Sequence, residues 1–85
     1  MTRDPLTREK FIEALDLALA KIDLKNMAKE KGALVNAHEA FGKIYEEVDE
    51  AGDEMRFNND EAFCDEVIDI MVACAWAWAS LKKDN

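Results

Sequence analysis

Residues 67–81 read VIDIMVACAWAWASL, fifteen positions in which Asp69 carries the only charge. Extended toward the N-terminus, the run gives Phe63, Val67, Ile70, Met71, Cys74, Trp78 and Leu81 at three- and four-residue steps. That is the period of a helix. Asn58 with Glu61, or Asn59 with Asp60 in the first turn, supplies a start signal. Beyond Asp69 the other sides are filled by Val72, Ala73, Ala75, Trp76, Ala77 and Ala79. A helix without a polar face is buried on every side. Three helices of this size cannot cover it alone, so residues 70–80 are expected to pack against another subunit, most simply by two-fold symmetry.

Two more helices precede it. Asn36 followed by Glu39 is a capping-box pattern that opens one. Phe41, Ile44, Tyr45, Val48, Ala51 and Met55 form its expected core stripe, and it ends near Arg56–Phe57. The first helix is expected from about Pro5 or Thr7 to somewhere near Met27–Lys31, with Asp4 as cap and Pro5 at the first helical position. Its apolar stripe is Phe11, Ile12, Leu15, Ala18, Leu19 and Ile22, and Gly32 breaks the pattern. The expectation is one all-α domain over residues 1–85: a helical bundle of three main helices per chain, completed by homo-oligomerisation.

Composition narrows the function. The 85 residues carry 19 acids against 11 bases, a formal charge of −8. Nucleic-acid binding needs clustered positive charge, so it is not expected. With 49% hydrophobic residues and few turn residues, the chain is neither disordered nor all-β. The longest apolar run is too short to span a bilayer, and no leader-like stretch is present. A soluble, intracellular (cytoplasmic) protein is expected. Cys64 and Cys74 lie roughly 15 Å apart along one helix and cannot bridge each other, so two buried, reduced thiols are expected. Residues 1–31 hold seven bases and six acids, whereas residues 32–85 hold four and thirteen. The acidic excess thus belongs to the second and third helices.

There the acids are spaced as ligands. Glu47 and Glu50 are three apart, as are Glu66 and Asp69. On a helix each pair shares a face, with Cβ atoms about 5–6 Å apart. Packed antiparallel across a short link, the two acidic edges can face each other. Like charges at about 4 Å repel by about 4 kcal/mol per pair at an effective dielectric near 20. A divalent cation removes that penalty. An all-oxygen donor set without His or Cys selects a hard ion, Mg²⁺ first and Mn²⁺ second. Glu-rich faces are often merely solvated, but a charge inside the apolar run at Asp69 needs a partner or a metal.

The pattern Glu46-Glu47-Val48-Asp49-Glu50, then Glu66-Val67-Ile68-Asp69, resembles the EExxE…ExxD arrangement of the MazG-like all-α nucleoside triphosphate pyrophosphohydrolases. The resemblance covers about residues 36–80. It implies a helical bundle assembled as a homodimer or homotetramer. It also implies Mg²⁺-dependent hydrolysis of an NTP or dNTP to the monophosphate and pyrophosphate, a nucleotide-pool house-cleaning activity. Carried over by motif position, Glu47, Glu50, Glu66 and Asp69 would hold Mg²⁺. Glu46 would assist, either at a further metal or by orienting the attacking water. A carboxylate would take the proton, and Glu46 and Glu47 are the expected catalytic residues. Family members often carry basic residues after the second half of the motif. Here only Lys82 and Lys83 follow it, so phosphate contacts must come from Lys21, Lys25, the Lys29–Lys31 region, Lys43 or another subunit.

Trp76 and Trp78 face nearly opposite sides of the helix. Both belong to a core or an interface, or one of them, Trp76, stacks on a nucleobase. His38, the only histidine, suits a surface or capping role. Two rival functions share these residues: a non-catalytic module that binds Mg²⁺–nucleotide, and a purely structural helical oligomer.

Overall fold

Thr7, not Asp4, starts the first helix. Its extended backbone (φ −114°, ψ 155°) and Oγ1, which accepts from Lys10 N at 3.3 Å, satisfy the free first-turn amide. Asp4 and Pro5 lie outside the helix. The computed structural model describes residues 2–82, so Lys83 lies outside the described residues. Helix α1 spans Arg8–Leu24, α2 Met27–Glu30, α3 Ala37–Arg56 and α4 Asp60–Leu81, and no strand occurs among the described residues. The described residues are all-helical, with four helices among them where the sequence suggested three.

The extra element comes from Asn26. Asn26 sits in the left-handed region (φ 50°, ψ 44°), which ends α1 at Leu24 and starts the single turn of α2. Asparagine tolerates that conformation better than most residues. The apolar stripe stops at Ile22, so no burial opposes the break. Gly32 (φ 69°) then turns the chain into an extended link. Two bonds tie this link to the far end of α4: Trp76 Nε1 donates to Gly32 O at 2.7 Å, and Leu34 N donates to Ser80 Oγ at 2.9 Å. Leu34 is buried there.

Asn36 caps α3, its Oδ1 accepting from Glu39 N at 3.0 Å. Glu39 Oε1 returns the favour one residue earlier than the capping box expects, accepting from Val35 N at 3.2 Å. Asn58 (φ 55°) makes the tight link, and Asn59 Oδ1 accepts from Ala62 N at 3.1 Å to cap α4. So short a link folds α3 and α4 into an antiparallel helical hairpin. Helix α1 packs on α4 and not on α3, and α2 packs on α1.

The core is thin. Ala18, Met27, Ile68 and Val72 form its centre, with Ala14, Ile22, Met71 and Trp76 packed against it. Helix α3 contributes Ala40 and Ala51. Much of each expected stripe faces outward instead. Phe11, Leu15 and Leu19 on α1, Phe41, Tyr45, Val48 and Met55 on α3, and Trp78 on α4 are exposed. Cys64 and Cys74 are free, as expected, but exposed rather than buried. A compact 9.6 kDa chain should expose about 5,100 Å² and have a radius of gyration of about 12 Å. This one exposes 7187 Å² and measures 14.7 Å.

Candidate metal centre

The hairpin register places the acids. Counted from Asn58 in the link, Glu50 and Glu66 stand equally far away on opposite helices, and so do Glu47 and Asp69. Antiparallel packing therefore sets each pair level. Glu47, Glu66 and Asp69, all half-buried, each bring one carboxylate oxygen within 4.8 Å of the others. Oxygen ligands of one hard cation, at about 2.0–2.6 Å from it, lie no more than about 4–5 Å apart. The trio is within one ion's reach. Glu50 lies beside Glu47 and Glu66 at the exposed margin and is not part of the trio. Glu46 is exposed and lines the neighbouring cleft.

The electrostatics record the crowding. Burial pushes the Glu66 carboxyl above the usual glutamate range, and the charges of Glu50, Asp69 and Glu47 push it further. Glu47 is raised for the same reasons, burial first and then Glu50 and Asp69, with Lys25 offsetting part of it. Glu66 Oε2 is buried and has no hydrogen-bond partner. A buried, unpaired carboxylate oxygen is costly. A proton shared with Glu50 would satisfy it, and so would a cation, and the all-oxygen donor set fits a hard metal ion.

One cation is supplied internally. Lys21 Nζ on α1 stands 2.6 Å from Asp69 Oδ1 on α4. The pairing holds the lysine above its ordinary value, through the bond to Asp69 first and against the cost of burial. The sequence offered Lys21 only as one of several phosphate candidates. Its place one turn before Lys25, on the helix that packs on α4, is the signal that could have found it.

Beside the trio opens a cleft of about 190 Å³. Helix α3 lines it with Lys43, Glu46 and Glu47, α4 with Asp69, Val72 and Trp76, and the α1–α2 region with Lys25, Met27 and Lys31. Of the candidate phosphate contacts, Lys25, Lys31 and Lys43 thus come together, whereas Lys29 and Lys82 are not among the lining residues. A second depression of about 330 Å³ adjoins it, floored by Ala28, Gly32, Ala33, Ala75 and Ala79. Met27 and Trp76 line both. His38, in the first turn of α3, is exposed and lines neither. No described helix is long and apolar enough to cross a membrane. Comparison of the chain with protein-family models, with curated proteins and with solved structures finds no match in any of the three.

Proposed function

We propose that this chain is a Mg²⁺-dependent nucleoside triphosphate pyrophosphohydrolase that works as a homo-oligomer, as its resemblance to the MazG-like enzymes implies. One observation carries the proposal: Glu47, Glu66 and Asp69 converge from two helices and leave Glu66 Oε2 buried without a partner. Folding alone does not call for that arrangement, and a hard cation satisfies it. When bound, Mg²⁺ (or Mn²⁺) neutralises phosphate charge and makes water a better acid. The chain's own groups do the rest. Glu47, Glu66 and Asp69, with Glu50 at the margin, hold the ion. Glu46, exposed on the cleft wall, orients the attacking water and accepts its proton at the carboxylate. Water attacks the α-phosphorus, the bond to the bridging oxygen breaks, and pyrophosphate leaves with the monophosphate as co-product. Lys25, Lys31 and Lys43, which line the same cleft, take the phosphate oxygens. The Trp76 indole, which lines both the cleft and the apolar depression, takes the base.

Exposed area supports the self-association. The chain exposes roughly 2,000 Å² more than a compact monomer of its mass. Permanent interfaces bury about 2,000–5,000 Å² summed over both partners. A second copy laid on the α1, α3 and α4 stripes covers the excess.

The test is a panel of common and damaged nucleotides, with and without Mg²⁺, scored for pyrophosphate and monophosphate. Release that needs Mg²⁺ supports the proposal. Nucleotide binding without release makes the chain a sensor. No thermal shift with either Mg²⁺ or nucleotide leaves a structural bundle, since a ligand at 100 times its Kd should stabilise by about 2.7 kcal/mol.

A further inference from the structure

Among the described residues, one ion pair links distant parts of the chain, and it sits on the candidate centre. The other two, Lys10 with Glu13 and Arg56 with Asp53, join neighbours on one helix at exposed positions. Lys21 and Asp69 are 48 residues apart and belong to different helices. The pair is therefore a product of tertiary packing. Its position is also chemically awkward for a metal site. An ammonium at 2.6 Å from Asp69 Oδ1 puts a positive charge on a carboxylate that a cation would share, and the two like charges repel.

We infer that Lys21 is a built-in counter-ion of the carboxylate site: its ammonium holds Asp69 while the site is empty, yields that oxygen when a divalent cation enters, and then turns to the phosphate oxygens in the adjoining cleft. The inference rests on the metal-dependent reading above. Three features carry it. Among the described residues Lys21 alone forms an ion pair with the trio or Glu50, Lys25 acting on Glu47 only at longer range. The lysine side chain is 37% exposed, against 26% for Asp69, so its long stem has room to swing. The destination is close, because Asp69 itself lines the cleft and Lys25, one helical turn beyond Lys21, already does so. Lys21 is in this account a positioning residue while the site is empty and a phosphate contact once it is filled.

The test titrates the full-length chain with Mn²⁺ and Mg²⁺ in the absence of nucleotide, by calorimetry, comparing wild type with K21M and K21R. K21M, relieved of the competitor, is expected to bind either ion roughly tenfold more tightly, while K21R stays at or below wild-type affinity. Metal-free K21M should also melt earlier, and its nucleotide KM should rise. Equal or weaker metal binding by K21M overturns the inference. Should K21M not fold without metal, the wild-type protein still decides. Its Lys21 ammonium resonance, assigned by its loss in K21R, should move on addition of Mg²⁺, and a resonance that stays put overturns the inference. Metal binding with the K21M gain but without pyrophosphate release leaves Lys21's counter-ion role standing and ends the hydrolase reading. No metal uptake by either protein ends both.

Discussion

The first part of α4, Asp60–Asp69, and the second, Ile70–Leu81, meet different surroundings. The first part places its charges level with those of α3 and finds Lys21 on α1 as a partner within the chain. The second part carries almost nothing but apolar atoms, yet one chain covers only part of it. Val72 and Ala73 are buried, whereas Trp78 is 68% exposed. One half has part of its electrostatic need met internally, at Asp69, while Glu66 stays unpaired, and the other has its hydrophobic need left open. A charge can be matched by one long side chain from a single neighbour. Apolar surface is matched only by area, and a chain of this length runs out of area first.

The largest effect should come from the charged half. D69N is expected to lower Mg²⁺-dependent pyrophosphate release at least a hundredfold while circular dichroism stays helical, because it removes a cation ligand and not core volume. Turnover near the wild-type rate would break the functional side of the comparison. Next comes the apolar half. W78E, joined with L15E on the exposed stripe of α1, should turn an oligomer into a monomer in sedimentation and weaken self-association by at least a hundredfold. A wild-type chain that sediments as a monomer at high concentration would remove the distinction between the halves.

A subtler effect has a sign that crosses. E66Q removes a charge that burial and three neighbouring carboxylates disfavour. The metal-free variant should therefore melt a few degrees above wild type at pH 7, yet gain nothing from Mg²⁺. Lower stability in both conditions would mean that Glu66 supports the fold by itself. The pH dependence follows from the same groups. Glu47 and Glu66 have folded pKa values above their unfolded ones. Between the two values the folded state binds more protons, so their contribution to stability falls as pH rises through that window. The advantage of metal-free E66Q over wild type should shrink as pH drops into the ordinary carboxylate range and widen toward neutrality. Saturating Mg²⁺ should abolish it. The smallest effect is expected at a helix start: N36A should cost about 1 kcal/mol of stability and leave metal binding unchanged.

Much of this was legible beforehand. The α3 start followed from Asn36 and the α4 start was narrowed to Asn58 or Asn59, because a side-chain cap is a local interaction and leaves a local signature; Asn59 is the cap and Asn58 makes the turn. The meeting of Glu47, Glu66 and Asp69 was legible too, since a short link dictates antiparallel register and register dictates which residues stand level, but the same reading also put Glu50 in the set, and the trio leaves it out. Two things were not. Nothing in the stripe of α1 foretold that Asn26 would take the left-handed region, since several residue types end helices and only the competing burial decides. The buried face of α4 was also misjudged. Ile68, Val72 and Ala73 point inward, not Cys74 and Trp78. On a helix that is apolar all round, periodicity cannot choose a face. Only the neighbours can, and a single chain supplies some of them.

The bond from the Trp76 indole to Gly32 O gives the molecule a native optical reporter. Trp76 is half-buried against the cleft, whereas Trp78, two positions on, stands in water. Their emission should differ in colour: bluer from the first, redder from the second. Nucleotide should quench the blue component, and assembly should shift the red one, so a single spectrum follows occupancy and association as separate signals without any attached dye.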